Sequence, residues 1–273
     1  MQLTKIVLTV GAVLLAIGIY LLPKVVVDNE QQAIDETITA DNASPKTDSL
    51  HQINIPQQER GQIDQLVQNL GSSSNNKKNA IFADSLAQLY AGLRLWDSAA
   101  VYGDLAVQLD PELGRWIAAG NYYQEVYSFA VDPAERQELG AKARNYFVLA
   151  LEQRPDLLDV KASMALTYLP DQVMKGVQLL REVVDADPTN ELAQYNLGLL
   201  SLQSQQLDKA KARFEQLVKV NPKHLEGQFY LGVVLFELGL KEEAEAQFLK
   251  VKEIDTSPEV EALVDNYLNK LDK

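Results

Sequence analysis

Between Glu191 and Asp255 the chain says nearly the same thing twice. Tyr195-Asn196-Leu197-Gly198 returns as Phe229-Tyr230-Leu231-Gly232, Ala210 as Ala244 and Phe214 as Phe248, every pair 34 residues apart. A fixed period of this length marks a solenoid, whose units cannot bury their apolar faces alone and therefore stack on one another. Within one unit, Gly198 and Gly232 let a first helix approach a second. Ala210 and Ala244 fill the crossing, and Phe214 and Phe248 plug the gap towards the next hairpin, so all six are core residues.

These residues fall where the tetratricopeptide pattern L-G-x2-Y…A-x3-F…P expects them, with Pro222 closing the first copy. The region resembles tetratricopeptide (TPR) repeats, departing from the pattern in the missing leading Trp, in Ser201 and Leu235 where Tyr is common, and in Thr256 where a second closing Pro would stand. The resemblance implies an all-α fold, a right-handed superhelical solenoid of about five helix hairpins. It also implies a concave groove, lined by each hairpin's first helix, that holds a peptide or a helix.

Weaker copies extend the array over 79–273. Leu86, Ala87, Tyr90, Trp96, Ala99, Ala106 and Pro111 give a first repeat over about 80–111. A second, about 113–155, has Trp116, Gly120 and Tyr123 in one helix and Ala143, Phe147, Ala150 and Pro155 in the other. An insertion separates its helices around Asp132-Pro133-Ala134-Glu135, where Asp suits an N-cap, Pro the first helical position and Glu a capping box. Apolar residues on both sides, Val126, Tyr127, Phe129 and Leu139, predict two lengthened helices, either as a larger local core or as a projecting contact knob. The third copy, about 157–188, keeps the step from Pro188 to Pro222, puts Gly176 and Leu180 where Ala210 and Phe214 stand, and has an irregular first helix without a clear Gly, with Leu169-Pro170-Asp171 forming the turn. Repeats four and five run over about 191–222 and 225–256. Ser257-Pro258 then starts a helix, about 258–271, whose stripe of Val260, Leu263, Val264, Tyr267, Leu268 and Leu271 suits a terminal cap.

The amino-terminal part is of another kind. Ile6 to Leu22 is an uncharged apolar run, and residues 1–27 are predicted to be a retained transmembrane signal-anchor rather than a cleaved signal peptide, since no A-x-A-like site follows. Lys5 before the run and Lys24 after it give a slight bias towards an inside amino terminus. This predicts a single-pass bacterial inner-membrane protein with a periplasmic soluble domain, the alternative being the cytoplasmic face. Residues 28–78 form an acidic linker without persistent period, except that Ile63, Leu66, Val67 and Leu70 define one amphipathic helix at about 57–70. That helix is expected to dock on the first hairpin, or alternatively on a partner or a second copy of the chain.

Chemistry is scarce. With 38 acidic against 25 basic residues there is no basic footprint for nucleic acid, and without Cys there is no thiolate nucleophile or Cys-rich zinc site. His51 and His224 lack ligand-spaced partners and are expected to be solvated loop residues; no phosphate loop or hydrolase motif occurs. No catalytic, metal or cofactor residue is assigned, and an enzyme is not expected. Asp84 and Gln88 in repeat one and Ile117 and Asn121 in repeat two replace the Lys, Asn and Arg clamp by which some TPR proteins hold acidic chaperone tails.

Recognition is the remaining role. On the first helices of repeats four and five, Tyr195, Asn196, Leu199 and Leu202, then Phe229, Val233 and Phe236, are predicted to line a protein-binding groove, unless the final helix folds back over Phe229 and Phe236. The expectation is a membrane-tethered scaffold for envelope-protein assembly or quality control, with a helical or extended protein partner and room for self-association. The alternative is a carrier that takes a lipid or other apolar ligand into the same groove.

Overall fold

The structure, a computed structural model, describes residues 55–271. The predicted membrane span, most of the acidic linker and His51 lie outside the described residues. Among those described, the chain forms twelve α-helices and no strand: α1 (Gln57–Ser72), α2 (Asn76–Gly92), α3 (Trp96–Leu109), α4 (Leu113–Phe129), α5 (Pro133–Gln153), α6 (Leu158–Leu166), α7 (Val173–Ala186), α8 (Glu191–Gln203), α9 (Leu207–Val220), α10 (Leu225–Glu237), α11 (Lys241–Ile254) and α12 (Pro258–Leu271). No helix among them is long and apolar enough to cross a membrane.

Helices α2 to α11 pair as five successive hairpins, with α1 packed against α2 and α12 against α11. Side-chain caps fix several starts: Asn75 accepts from the Lys78 N–H, Asp132 from Ala134 and Glu135, and Asn190 from Ala193. In α1 the stripe buries Ile63 and half-buries Leu66 and Leu70, while Val67 stays exposed.

The core repeats with the sequence. Phe147, Phe214 and Phe248 are fully buried, each ring against the glycine of its own hairpin, and Phe214 also stacks on Tyr230 of the next hairpin at 5.8 Å and 17°. A methyl group at Gly120, Gly198 or Gly232 would come within 2.6, 2.8 and 2.8 Å of those rings, so only glycine admits the contact. The turn between the two helices of the first, fourth and fifth hairpins holds a left-handed residue. Gly239 takes φ 74° at no steric cost, whereas Gln205, one period earlier, is held at 57° and Arg94 at 59°.

The insertion lengthens both helices of the second hairpin to 17 and 21 residues, and the third hairpin explains the use of the extra turns. Its first helix, α6, has nine residues and ends at Leu166, so carbonyls at its open end need donors from elsewhere. The Tyr127 hydroxyl and Arg144 Nη1, both from the long hairpin, donate to the Thr167 carbonyl at 3.4 and 2.8 Å, and Thr167 is fully buried. Arg144 and Lys175 lie over the Tyr168 ring at 4.9 and 4.0 Å. The insertion thus enlarges the local core around a shortened neighbour. Phe129 and Val131 at its tip remain 70% and 88% exposed.

Polar contacts tie each hairpin to the next. Arg115, 7% exposed, donates from Nε to Asp84 at 2.8 Å and from Nη1 to the Asp110 carbonyl and carboxylate at 2.7 and 2.9 Å. Burial opposes its charge, but Asp84, Asp110 and Glu112 outweigh that and hold the guanidinium above its ordinary value. Asn190 makes an equivalent tie to Asp159, and Asn221, at the end of α9, closes back on Glu191 of its own hairpin.

Candidate recognition face

The seven residues singled out by sequence sit on α8 and α10, the first helices of the last two hairpins. Six belong to one apolar cluster built around Phe214, Leu231 and Phe248; in it Val233 is buried and Tyr195, Leu199, Leu202, Phe229 and Phe236 are half-buried. Asn196 stands apart, its amide donating to the Leu192 carbonyl of its own helix at 2.8 Å.

The two helices differ in what covers them. Tyr267 of α12 meets Phe229 and Phe236 edge-on at 5.6 and 5.7 Å and stacks on Phe248 at 5.0 Å. The final helix thus folds back over the α10 part of the stripe, because its long apolar face has nowhere else to be buried. Phe229 and Phe236 belong to the end of the core rather than to an open groove. Val233, at 8% exposure, is equally withdrawn.

One repeat further in, Tyr195 lies edge-on to Phe214 at 6.3 Å and stacks on His224 at 5.6 Å. Burial, followed by Tyr230 and Glu226, pushes its phenol up to about 12. His224 is not a solvated loop residue: it is the N-cap of α10, its Nδ1 accepting from the Gly227 N–H at 3.1 Å. Its ring is held by Tyr195, a pairing that its position after Pro222 does not reveal. Leu199 and Leu202 keep part of their surface in solvent.

The rest of the first-helix face is mixed. Asp84 is taken up by Arg115, whereas Gln88 and Asn121 are exposed and Ile117 half-buried. Among the described residues no group of three or more acidic or His side chains is placed to hold a metal ion. The face offers apolar contact and hydrogen bonding.

A separate cleft of about 570 Å³ opens on the other side of α8, between α7 and α9, lined among others by Arg181, Lys209 and Arg213. No motif in the sequence marks it. A comparison of positions one period apart would have found its charges.

Comparison with known proteins supports the repeat reading. Residues 195–258 match the family model described as Tetratricopeptide repeat. Among solved structures, the chain is similar to a tetratricopeptide repeat protein from Parabacteroides merdae at 14% identity and TM-score 0.56, covering 77% of this chain and 80% of that one. It is also similar to a thermophilic TPR protein of Thermus thermophilus, at 20% identity and TM-score 0.50, covering 65% and 99%. A third is MamA, residues 41 to the end, from Desulfovibrio magneticus, at 19% identity and TM-score 0.50, covering 66% and 96%. At these identities the likeness concerns the fold. No curated protein matches the chain.

Proposed function

We propose that this tetratricopeptide-repeat protein is a scaffold that holds a segment of a partner protein on the face lined by its first helices, tethered to the membrane through residues 1–27. The observation that carries the reading is the half-exposed stripe of Tyr195, Leu199 and Leu202 on α8, which borders the Phe214 cluster and keeps part of its surface in solvent. Partly exposed apolar side chains grouped on one face favour a contact site. With the final helix packed on Phe229 and Phe236, the proposed site begins at α8.

The uncharged run Ile6–Leu22, with Lys5 before it, supports a single span with the repeats outside the cytoplasm, in a bacterial periplasm. Such a layout suits assembly or quality control of envelope proteins, an analogy of architecture.

The test is affinity capture from detergent-solubilised membranes. Tyr195→Ala with Leu199→Ala should leave helical content almost unchanged and lose a stoichiometric partner that the parent retains. Equal capture by parent and variant, or unfolding of the variant, would defeat the reading. Alkaline phosphatase fused after Leu70 should be active and sediment with membranes; an inactive fusion would place the repeats on the cytoplasmic side.

A further inference from the structure

The second helices of hairpins three and four, α7 and α9, stand apart and leave the cleft of about 570 Å³. Its apolar wall includes Val177, Leu197 and Met174, and Met174 is 75% exposed. Its charged lining is Arg181 from α7 with Lys209 and Arg213 from α9, and no carboxylate lines it. In a chain of net charge −13 this is an unusual concentration of one sign.

The neighbouring repeat shows what the same positions do elsewhere. One period on, Arg181 becomes Glu215, Lys209 becomes Glu243 and Arg213 becomes Gln247. There Lys211 lies 3.6 Å from Glu215 and 4.0 Å from Glu243, so that charge is met within the protein. The corresponding cleft, about 480 Å³, is lined by both signs, Glu215 and Glu253 with Lys219 and Lys250.

In the α7/α9 cleft the cations have no such partner. Among the described residues none of the three is in an ion pair. Arg213 reaches the Gln194 amide oxygen at 3.3 Å, and Lys209 that of Gln206 at 2.6 Å. Half-burial lowers the Arg213 guanidinium from its ordinary value; Asp185 opposes the shift and Arg181 adds to it. An incoming anion would relieve that cost.

Spacing selects the form of the occupant. Lys209 and Arg213 stand one turn apart on α9, a rise of about 6 Å, which matches carboxylates four residues apart on a guest helix. From Val173 to Arg181 the α7 wall runs about 12 Å, two turns of such a guest. We propose that this cleft docks an acidic amphipathic helix of a partner protein, its apolar face against Val177 and Leu197 and its carboxylates on Arg181, Lys209 and Arg213. The site lies on the side of α8 opposite Tyr195 and Leu199 and works independently of the stripe they form.

The experiment is selection of a randomised 16-residue peptide library displayed on phage against the full chain in non-ionic detergent, followed by fluorescence anisotropy of the enriched peptides. The parent should enrich peptides with Glu or Asp four residues apart beside a Leu stripe. Arg181→Glu with Lys209→Glu, both at exposed positions, should bind them at least ten-fold more weakly and should instead bind their Glu-to-Lys counterparts. Tyr195→Ala with Leu199→Ala should bind the acidic peptides as the parent does, which separates this site from the other face. Enrichment without acidic spacing, or equal binding by the charge-reversed variant, would overturn the proposal. So would displacement of the peptides by dodecyl phosphate at lower concentration than by one another, which would assign the cleft to a lipid headgroup.

Discussion

Phe214 and Gly198 make one contact, and a double-mutant cycle on them measures the packing shared by the second, fourth and fifth hairpins. Phe214 is fully buried, so Phe214→Ala removes a whole aromatic ring and leaves a cavity, at a cost of about 3–5 kcal/mol. In Gly198→Ala the new methyl carbon would lie 2.8 Å from Cε1 and Cζ of that ring. The ring cannot turn aside freely, because Tyr230 stacks on it at 5.8 Å and Tyr195 meets its edge at 6.3 Å. Overpacking of this kind costs about 1–3 kcal/mol. Against it stands a gain of about 1 kcal/mol from replacing a mid-helix glycine by alanine. Gly198→Ala should therefore destabilise the parent by up to about 2 kcal/mol, yet stabilise the Phe214→Ala chain by about 1 kcal/mol, where no ring remains to be struck. The assay is urea unfolding of the full chain followed by helical circular dichroism. A Gly198→Ala effect of the same sign and size in both backgrounds would refute the argument. The pair Gly232 and Phe248, with the same 2.8 Å approach, should behave alike.

Gln205→Gly should raise stability by up to about 1 kcal/mol in the same assay, because the turn at φ 57° is already the one that Gly239 occupies one repeat later. A loss would show that the Gln205 side chain contributes more than its backbone costs. Arg115→Met should cost about 1–3 kcal/mol by leaving Asp84 and Asp110 facing each other without their cation; both keep 28% side-chain exposure, which limits the penalty. Adding Asp84→Asn should recover part of that loss, and no recovery would mean that Arg115 acts through packing alone.

The hairpins were legible because their signal is periodic. Gly198, Ala210, Phe214 and Pro222 each repeat a structural need, and a need that recurs every 34 residues stands out from one sequence. The short α6 was half-visible: Leu169-Pro170-Asp171 announced a turn after an irregular helix, but the compensation by Tyr127 and Arg144 depends on two hairpins meeting in space, which no local pattern encodes. The candidate face was legible as a stripe and not as a surface. Val260, Tyr267 and Leu268 declared an apolar face on α12, while the packing of Tyr267 on Phe229 and Phe236 depends on the angle at which that helix returns. Arg181, Lys209 and Arg213 belong to no motif and stand out only as departures from Glu215, Glu243 and Gln247 one period on. Their meaning comes from their convergence on one cleft whose lining holds no carboxylate, and that is a fact of three dimensions.

The most direct test of the scaffold reading is site-specific photo-crosslinking in the full chain within intact cells. A benzoylphenylalanine at Leu202 on α8 should give a discrete adduct with another protein, and one at Leu249, 47% exposed on α11, should not. Adducts from Leu249 alone, or from neither position, would contradict binding along the first-helix face.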